Sequence, residues 1–219
     1  MAHARRFFSS FLFLVALLLI PTITYAQVVD WHVVVQGKDH SVLRMEMSGE
    51  KGAGSCSAVV YQIDADKQAL ALTAAHCVRD AKDVTVNRRH TETVLSNNLL
   101  DLAVVTFKAK DEVPLPLAAV DPTMGTPVAV LGYAFGIKDL AGQFGNVSQL
   151  VNSETQTMWI NVDLIFGDSG GAVINAKGEL VGINSKIASE GPAHMGMAVM
   201  LEDIKEFLKA VERELKKKG

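Results

Sequence analysis

The sequence predicts an all-β fold, a barrel or sandwich, closed off by one helix. Three observations carry this. About a dozen short apolar or alternating runs are separated by turn residues at close intervals. A proline-bearing connection, Val113 to Pro122, divides those runs into two groups, and Pro114, Pro116 and Pro122 do not belong in central strands. From Leu201 the pattern changes: Leu201, Ile204, Phe207, Leu208, Val211 and Leu215 recur three and four apart, as one face of a helix.

The elements follow in order. Val28 to Val35 is rich in β-branched residues and reads as a strand, with a turn at Gly37-Lys38-Asp39. Val42 to Met47 alternates as a half-buried strand does. Gly49 to Gly54 is a glycine-rich turn before a strand from Ser57 to Ile63, and Ala69 to Thr73 is the next strand. Val84 to Val86 and Thr91 to Leu95 read as a hairpin around Asn87 to His90. Asp101 to Phe107 is apolar and β-rich, and after the proline-bearing connection so is Pro127 to Gly132. Tyr133 to Gly145 reads as a glycine-spaced loop, and Asn146 to Val151 pairs with Thr157 to Val162. Ala172 to Asn175, Leu180 to Ser185 and Met195 to Met200 complete the strands. The helix carries lysines at its C-terminal end, where they suit its dipole. Glutamates balance them, so the helix is expected to pack on the barrel and not on a membrane.

The chain has 219 residues and a formal charge of −3. Residues 1–26 read as a signal peptide: Arg5 and Arg6, an apolar run from Phe7 to Ile20, and a small residue at Ala26. The apolar run is short for a membrane-spanning helix, so no stable insertion is expected once the segment is removed. Losing Arg5 and Arg6 makes the remaining chain more acidic, which excludes a basic nucleic-acid footprint. His32, His40 and His90 show no metal-ligand grouping, and Gly49 to Gly54 lacks the setting of a phosphate loop, so no cofactor or metal is expected. There are two cysteines, Cys56 and Cys77, which form either a disulfide or a pair of buried thiols.

Three stretches carry chemistry. In Gly167-Asp168-Ser169-Gly170-Gly171 the glycines let the backbone turn tightly, so that the N–H groups of Gly167 and Ser169 can converge. A serine hydroxyl needs a base for its proton and donors for the oxyanion it creates. Thr73-Ala74-Ala75-His76-Cys77 offers a histidine after a strand, and Leu100-Asp101-Leu102 an aspartate at the head of one. Singly, these read equally as a turn, a core histidine and a strand-end cap.

Jointly they say more. The order His76, Asp101, Ser169 is that of the chymotrypsin fold. The sequence resembles the trypsin/chymotrypsin-like serine protease family, in its compact bacterial secreted branch, from roughly Gly52 to Val199. The resemblance implies two six-stranded antiparallel β-barrels, 27–113 with His76 and Asp101 and 114–199 with Ser169, followed by a helix over 200–219. It implies an exported serine endopeptidase, periplasmic or extracellular, acting on polypeptides. Ser169 would be the nucleophile, His76 the general base and Asp101 its orienting partner, with Gly167 and Ser169 as the oxyanion donors. It also implies a bridge between Cys56 and Cys77.

Other expectations concern specificity and regulation. Asp163, six residues before Ser169, stands where trypsin-like members select Arg or Lys. Ser185 matches a position that supports substrate backbone, Ile187 would narrow the pocket, and Gly196 lies on its far wall. His194 would favour an acidic side chain. The resemblance also implies an Ile-Val-Gly-Gly start, in its animal digestive members, whose amine pairs with the aspartate beside the serine; this chain lacks it, so either Asp168 has another partner, a cation such as Lys138 or backbone donors, or its loop is flexible until substrate binds. That departure keeps open a catalytically silent or latent binding protein on the same fold. A quality-control protease of the heat-shock type would carry a peptide-binding module after its protease domain, whereas here only a helix follows Val199.

Overall fold

A computed structural model describes residues 28–50, 52–152, 156–188 and 195–218. The expected signal segment and His194 lie outside the described residues. The first element is a short helix, α1 (Trp31–Val35), not a strand. Asp30 caps it, its side chain accepting from Val33 N–H at 3.4 Å. Trp31, Val34 and Val35 pack against the core, and their spacing of three and four is helical. Tertiary packing thus overrides the β-preference of the valines.

Thirteen strands are described, in two sheets. The first holds β1 (Val42–Gly49), β2 (Gly52–Ile63), β3 (Gln68–Ala74), β4 (Asp83–Val86), β5 (Arg89–His90), β6 (Glu92–Asn97) and β7 (Leu102–Lys108). Its order is β5-β4-β1-β2-β3-β7-β6. The second is a closed barrel of β8 (Pro127–Gly132), β9 (Ala141–Asn152), β10 (Gln156–Ile160), β11 (Ala172–Asn175), β12 (Leu180–Ala188) and β13 (Met195–Met200), ordered β10-β13-β12-β11-β8-β9. The two-barrel expectation therefore takes the form of one closed six-stranded barrel and one half-barrel of seven strands.

The hairpin expected near Asn87 is shorter than its sequence suggests. Asn87 and Arg88 both have positive φ (47° and 64°), which gives a two-residue turn joining β4 to β5. Thr93 and Leu95 pair instead with β7. The loop after β8 also ends early, because β9 starts at Ala141.

Hydrogen bonds do not close the half-barrel, but Arg89 spans its gap. From β5 its Nη1 donates to Lys108 O on β7 at 3.1 Å, its Nη2 bonds Glu112, and its guanidinium lies 4.8 Å from the centre of the Phe107 ring. Glu112 is almost fully buried, with 2% of its side chain exposed. Burial pushes the Glu112 carboxyl up, but Arg89 and the Lys110 N–H outweigh it and hold it below its ordinary value.

One hydrophobic cluster joins the two sheets. Val59, Leu72 and Val104 of the first meet Leu131, Ile174 and Ile183 of the second. The terminal helix α2 (Leu201–Lys218) adds Ile204, Phe207 and Val211 to it, and it packs on the sheets as its periodicity predicts. The connection between the sheets is pinned at both ends. Leu115 N–H donates to Val60 O, and Leu180 N–H to Pro116 O, both at 2.8 Å.

Arg89→Ala leaves the buried Glu112 carboxylate without its cation. We expect a loss of about 3 kcal/mol at neutral pH, read by denaturant unfolding. The pair stabilises the fold above the ordinary glutamate pKa and loses that effect as pH falls. The defect should therefore shrink toward acid, and a defect independent of pH would count against the clasp.

Candidate functional site

The turn carrying Ser169 can be built only with glycine at several points. Gly167 and Gly170 have φ of +103° and +79°. A Cβ at Gly170 would fall 2.2 Å from Ser57 O, and one at Gly171 2.3 Å from Leu131 O. The turn is packed backbone against backbone. Within it, Asp168 N–H donates to Ile165 O, Gly170 N–H to Asn184 O and Gly171 N–H to Asp168 O. Among the described residues, the N–H groups of Gly167 and Ser169 meet no acceptor. Phe135 N–H donates to Phe166 O at 2.5 Å. Since the Phe166–Gly167 peptide is trans, this turns the Gly167 N–H away from Phe135.

Ser57, which the sequence reading passed over, fastens this turn to the first sheet. Its N–H donates to Ser169 O at 2.8 Å. Its hydroxyl donates to Gly167 O and accepts from Tyr133 N–H, both at 2.9 Å. Its carbonyl accepts from Thr73 Oγ1 at 2.8 Å. The only hint in the sequence was a serine beside Cys56.

His76 sits in a single 3-10 turn, Ala75–Cys77, at the end of β3. Cys77 is bonded to Cys56 on β2, which ties this turn to the strand that holds the serine loop. Nδ1 of His76 lies 2.9 and 3.1 Å from the two carboxylate oxygens of Asp101. Asp101 is buried, and its φ of +55° is a left-handed conformation that aspartate tolerates better than most residues. That conformation serves two bonds at once: Ala75 N–H donates to Asp101 O and His76 N–H to Asp101 Oδ1. Ser185 Oγ donates to Asp101 Oδ2 at 2.5 Å. Burial raises the Asp101 carboxyl, but the bonds from the His76 ring, Ser185 and the His76 N–H prevail and hold it below its ordinary value. An ionised carboxylate only accepts, so Nδ1 carries the proton and Nε2 of the neutral ring is the free base.

Ser185 has two contacts at the site. Its hydroxyl steadies Asp101, while its carbonyl lies 3.4 Å from Ser169 Oγ. Asp168 is buried and takes two neutral donors, Ile165 N–H at 3.1 Å and Gln143 Nε2 at 3.0 Å. Lys138 is exposed and is not among its partners. Burial outweighs the two donors and pushes the Asp168 carboxyl up.

Asp163 is exposed, and both its neighbours, Val162 and Leu164, are buried. A Cβ at Gly196 would stand 2.7 Å from Leu164 Cδ1, so Leu164 fills the space in front of the Gly196 wall. Ile187 pairs with Gly196 across β12 and β13, and its side chain lies outside the described residues. The ligand atoms of Cys56, His76 and Cys77 lie within 4.8 Å of one another, but both sulfurs are taken by the disulfide.

Residues 56–183 match the family model described as the trypsin-like peptidase domain. Among curated proteins, the serine protease HTRA4 of Homo sapiens is 26% identical over 193 residues, covering 80% of this chain and 40% of that protein. The probable periplasmic serine endoprotease DegP-like of Halomonas elongata is 28% identical over 137 residues, covering 58% and 29%. The chain spans between 25 and 40% of the length of the curated relatives it matches. These relatives include HtrA-named proteases, the branch the sequence reading set aside for want of a trailing module. Two solved structures share the fold. One is the active form of the Rv3671c protease from M. tuberculosis (TM-score 0.72, 22% identity, 81% of this chain and 83% of that one). The other is a serine endoprotease from Yersinia pestis (TM-score 0.73, 24% identity, 86% and 68%). With the match covering more than half its length, the chain belongs to the trypsin-like peptidase domain family.

Proposed function

We propose that the chain is an exported serine endopeptidase that cleaves peptide bonds through an acyl-enzyme on Ser169. The observation that carries this is a convergence. A bonded His76–Asp101 pair and two N–H groups without acceptors, those of Gly167 and Ser169, stand on the elements that Ser57 and the disulfide tie to Ser169. In the reaction the Ser169 hydroxyl turns from Ser185 O to Nε2 of His76, gives up its proton and attacks the carbonyl carbon. The oxyanion is received by the two N–H groups. Each such donor is worth about 10²–10³ in rate. His76 then returns the proton to the leaving amine, and water repeats the sequence on the ester. Asp101, held by Ser185 and the His76 N–H, keeps the proton on Nδ1. Export is supported by the signal-like segment 1–26 and by relatives named as probable periplasmic proteases.

The position of the Ser169 hydroxyl, on Ser185 O, favours a second reading: a latent site that a partner or substrate must switch on. One measurement separates the two. Full chain treated with a fluorophosphonate probe should label, and Ser169→Ala should not. Absence of labelling in the parent would favour latency. Asp101→Asn should lower kcat by about 10⁴, because an amide no longer enforces the tautomer.

Leu164 occupies the space beside Gly196, so the subsite there would be shallow and apolar, and the exposed Asp163 is poorly placed to meet a buried cation. A library varied at the residue before the cleaved bond should favour small aliphatic side chains over Arg and Lys. Asp163→Asn should leave that ranking as it is. A preference for Arg that disappears in Asp163→Asn would reverse the assignment.

The two buried aspartates should act on stability with opposite sign. Asp101 is held low, so its contribution is present above the ordinary aspartate pKa and lost as pH falls. Asp168 is held high, so its contribution is full below that value and lost as pH rises through the raised one. Unfolding measured from about pH 3 to 8 should show a shallower alkaline decline in Asp168→Asn and a shallower acid decline in Asp101→Asn. Unchanged slopes in both would remove this account.

A further inference from the structure

Among the described residues, the ligand atoms of three metal-binding side chains converge at one place: Cys56, His76 and Cys77, within 4.8 Å of one another. While the two sulfurs are joined, the group offers a metal only the imidazole. Backbone bonds and packing, and not the bridge alone, hold the two cysteines in place. Cys56 lies in β2, paired with Met45 of β1. Cys77 ends a 3-10 turn fixed by Ala75 N–H on Asp101 O and by Val78 and Arg79 N–H on Ala75 O. Leu43, Met45, Val78 and Val86 pack in one cluster with both cysteines. None of these contacts needs the sulfur–sulfur bond. Two free thiols would therefore keep their places, with Cα atoms 6.4 Å apart and the His76 ring beside them.

We propose that in the dithiol form Cys56, Cys77 and His76 bind one Zn2+, and that the ion takes His76 away from Ser169. Exchange with a small dithiol makes this form: the sulfurs of the reagent join to each other, and Cys56 and Cys77 are left as thiols. Zinc then binds to two thiolates and one neutral imidazole, with release of both thiol protons. Zn2+ takes such a donor set tetrahedrally, with donor atoms about 3.5 to 3.8 Å apart and the fourth position left to solvent. The freed sulfurs reach that separation by rotation about their Cα–Cβ bonds, without movement of the strands. Asp101 holds Nδ1 of His76 at 2.9 Å, so Nε2 is the nitrogen left for the ion. A carboxylate behind a ligating histidine also fixes its ring and raises its basicity as a ligand. The ion has a way in, since 39% of the His76 side chain is exposed although both cysteines are buried. Oxygen-seeking ions such as Mg2+ find no suitable donors in this set. With its lone pair on zinc, Nε2 cannot take the proton of Ser169. The metal site stands on the geometry alone, and only its effect on Ser169 rests on the protease reading above.

The test uses the full chain, oxidised or reduced with a dithiol that is then removed without air, and Co2+ as a coloured stand-in for Zn2+. The reduced parent should take up one Co2+ with strong sulfur-to-metal absorption that Zn2+ abolishes, and the oxidised parent should show no such band. His76→Ala keeps both thiols and should bind at least about tenfold more weakly, since loss of even an outer partner costs that much. Equal uptake in His76→Ala, or no uptake by a reduced parent with both thiols free, would overturn the site. Zn2+ should also raise the unfolding midpoint of the reduced chain and leave that of the oxidised chain unchanged. A midpoint that stays or falls would mean that the metal goes to unfolded thiols, which overturns the site as well. Fluorophosphonate labelling in the same samples reads the effect on Ser169. Zinc should stop labelling of the reduced chain, a chelator should restore it, and the oxidised chain should label with or without zinc. Labelling that continues with zinc bound would overturn the capture of His76. An oxidised parent that does not label refutes the protease reading, while the cobalt band and the midpoint still decide the metal site.

Discussion

Ser57 uses every hydrogen-bonding group it has to join the two halves of the molecule at the reactive turn. Its N–H, its carbonyl and both capacities of its hydroxyl are engaged, and the residue has no exposed surface. A buried polar atom without a partner costs about 1–3 kcal/mol, so this node stands only if Ser169, Gly167, Tyr133 and Thr73 are all in place. The reverse also holds. The conformation of the serine turn depends on a strand of the other sheet, and that strand is bonded through Cys56 to the turn that presents His76. His76 and Ser169 come from different sheets, yet they are referenced to one segment of backbone, Cys56-Ser57. Even a small relative shift of the sheets would therefore be resisted at the point where a misplacement of an ångström is costly to catalysis.

Around this node the two buried carboxylates illustrate how environment divides identical groups. Asp101 receives charge-compatible donors on both oxygens and stays an anion that orients an imidazole. Asp168, one residue before the serine, receives only an amide and a backbone N–H at one oxygen, and burial dominates. Its partners among the described residues are the neutral Gln143 amide and the Ile165 N–H.

Much of this was legible in the sequence. Strand alternation, the proline-bearing connection and the helical spacing from Leu201 each have a local physical cause, and the barrel and helix followed. The three motifs were readable because each sits at a strand end beside residues with special backbone needs. What escaped has causes at a distance. α1 was misread because its valines prefer strands, while the packing of Trp31, Val34 and Val35 decides the outcome. The half-barrel was not foreseen because ladder closure depends on whether the edge strands β5 and β6 meet, which no single segment encodes. Ser57, Gln143 and the Asp101 contact of Ser185 are defined by partners 76, 25 and 84 residues away, and no spacing rule reaches them. Leu164, in place of Asp163, fills the space at Gly196 because a one-residue change of phase exchanges the inside and outside of an extended segment.

The open sheet has a consequence for the behaviour of the chain in a crowded compartment. Unpaired strand edges are templates on which other chains can add, and a closed barrel has none. The half-barrel keeps two, but neither offers a good template. At one end β5 is only two residues long, too short for a visiting strand to gain register, and Arg89 already ties it to Lys108 of β7. At the other, α2 lies alongside β6, with Leu208 and Leu215 in the cluster that includes Leu95. The terminal helix is thus a guard as well as a piece of core: chain shortened from that end would bare a six-residue edge and invite association between copies, even where the catalytic turn remained intact.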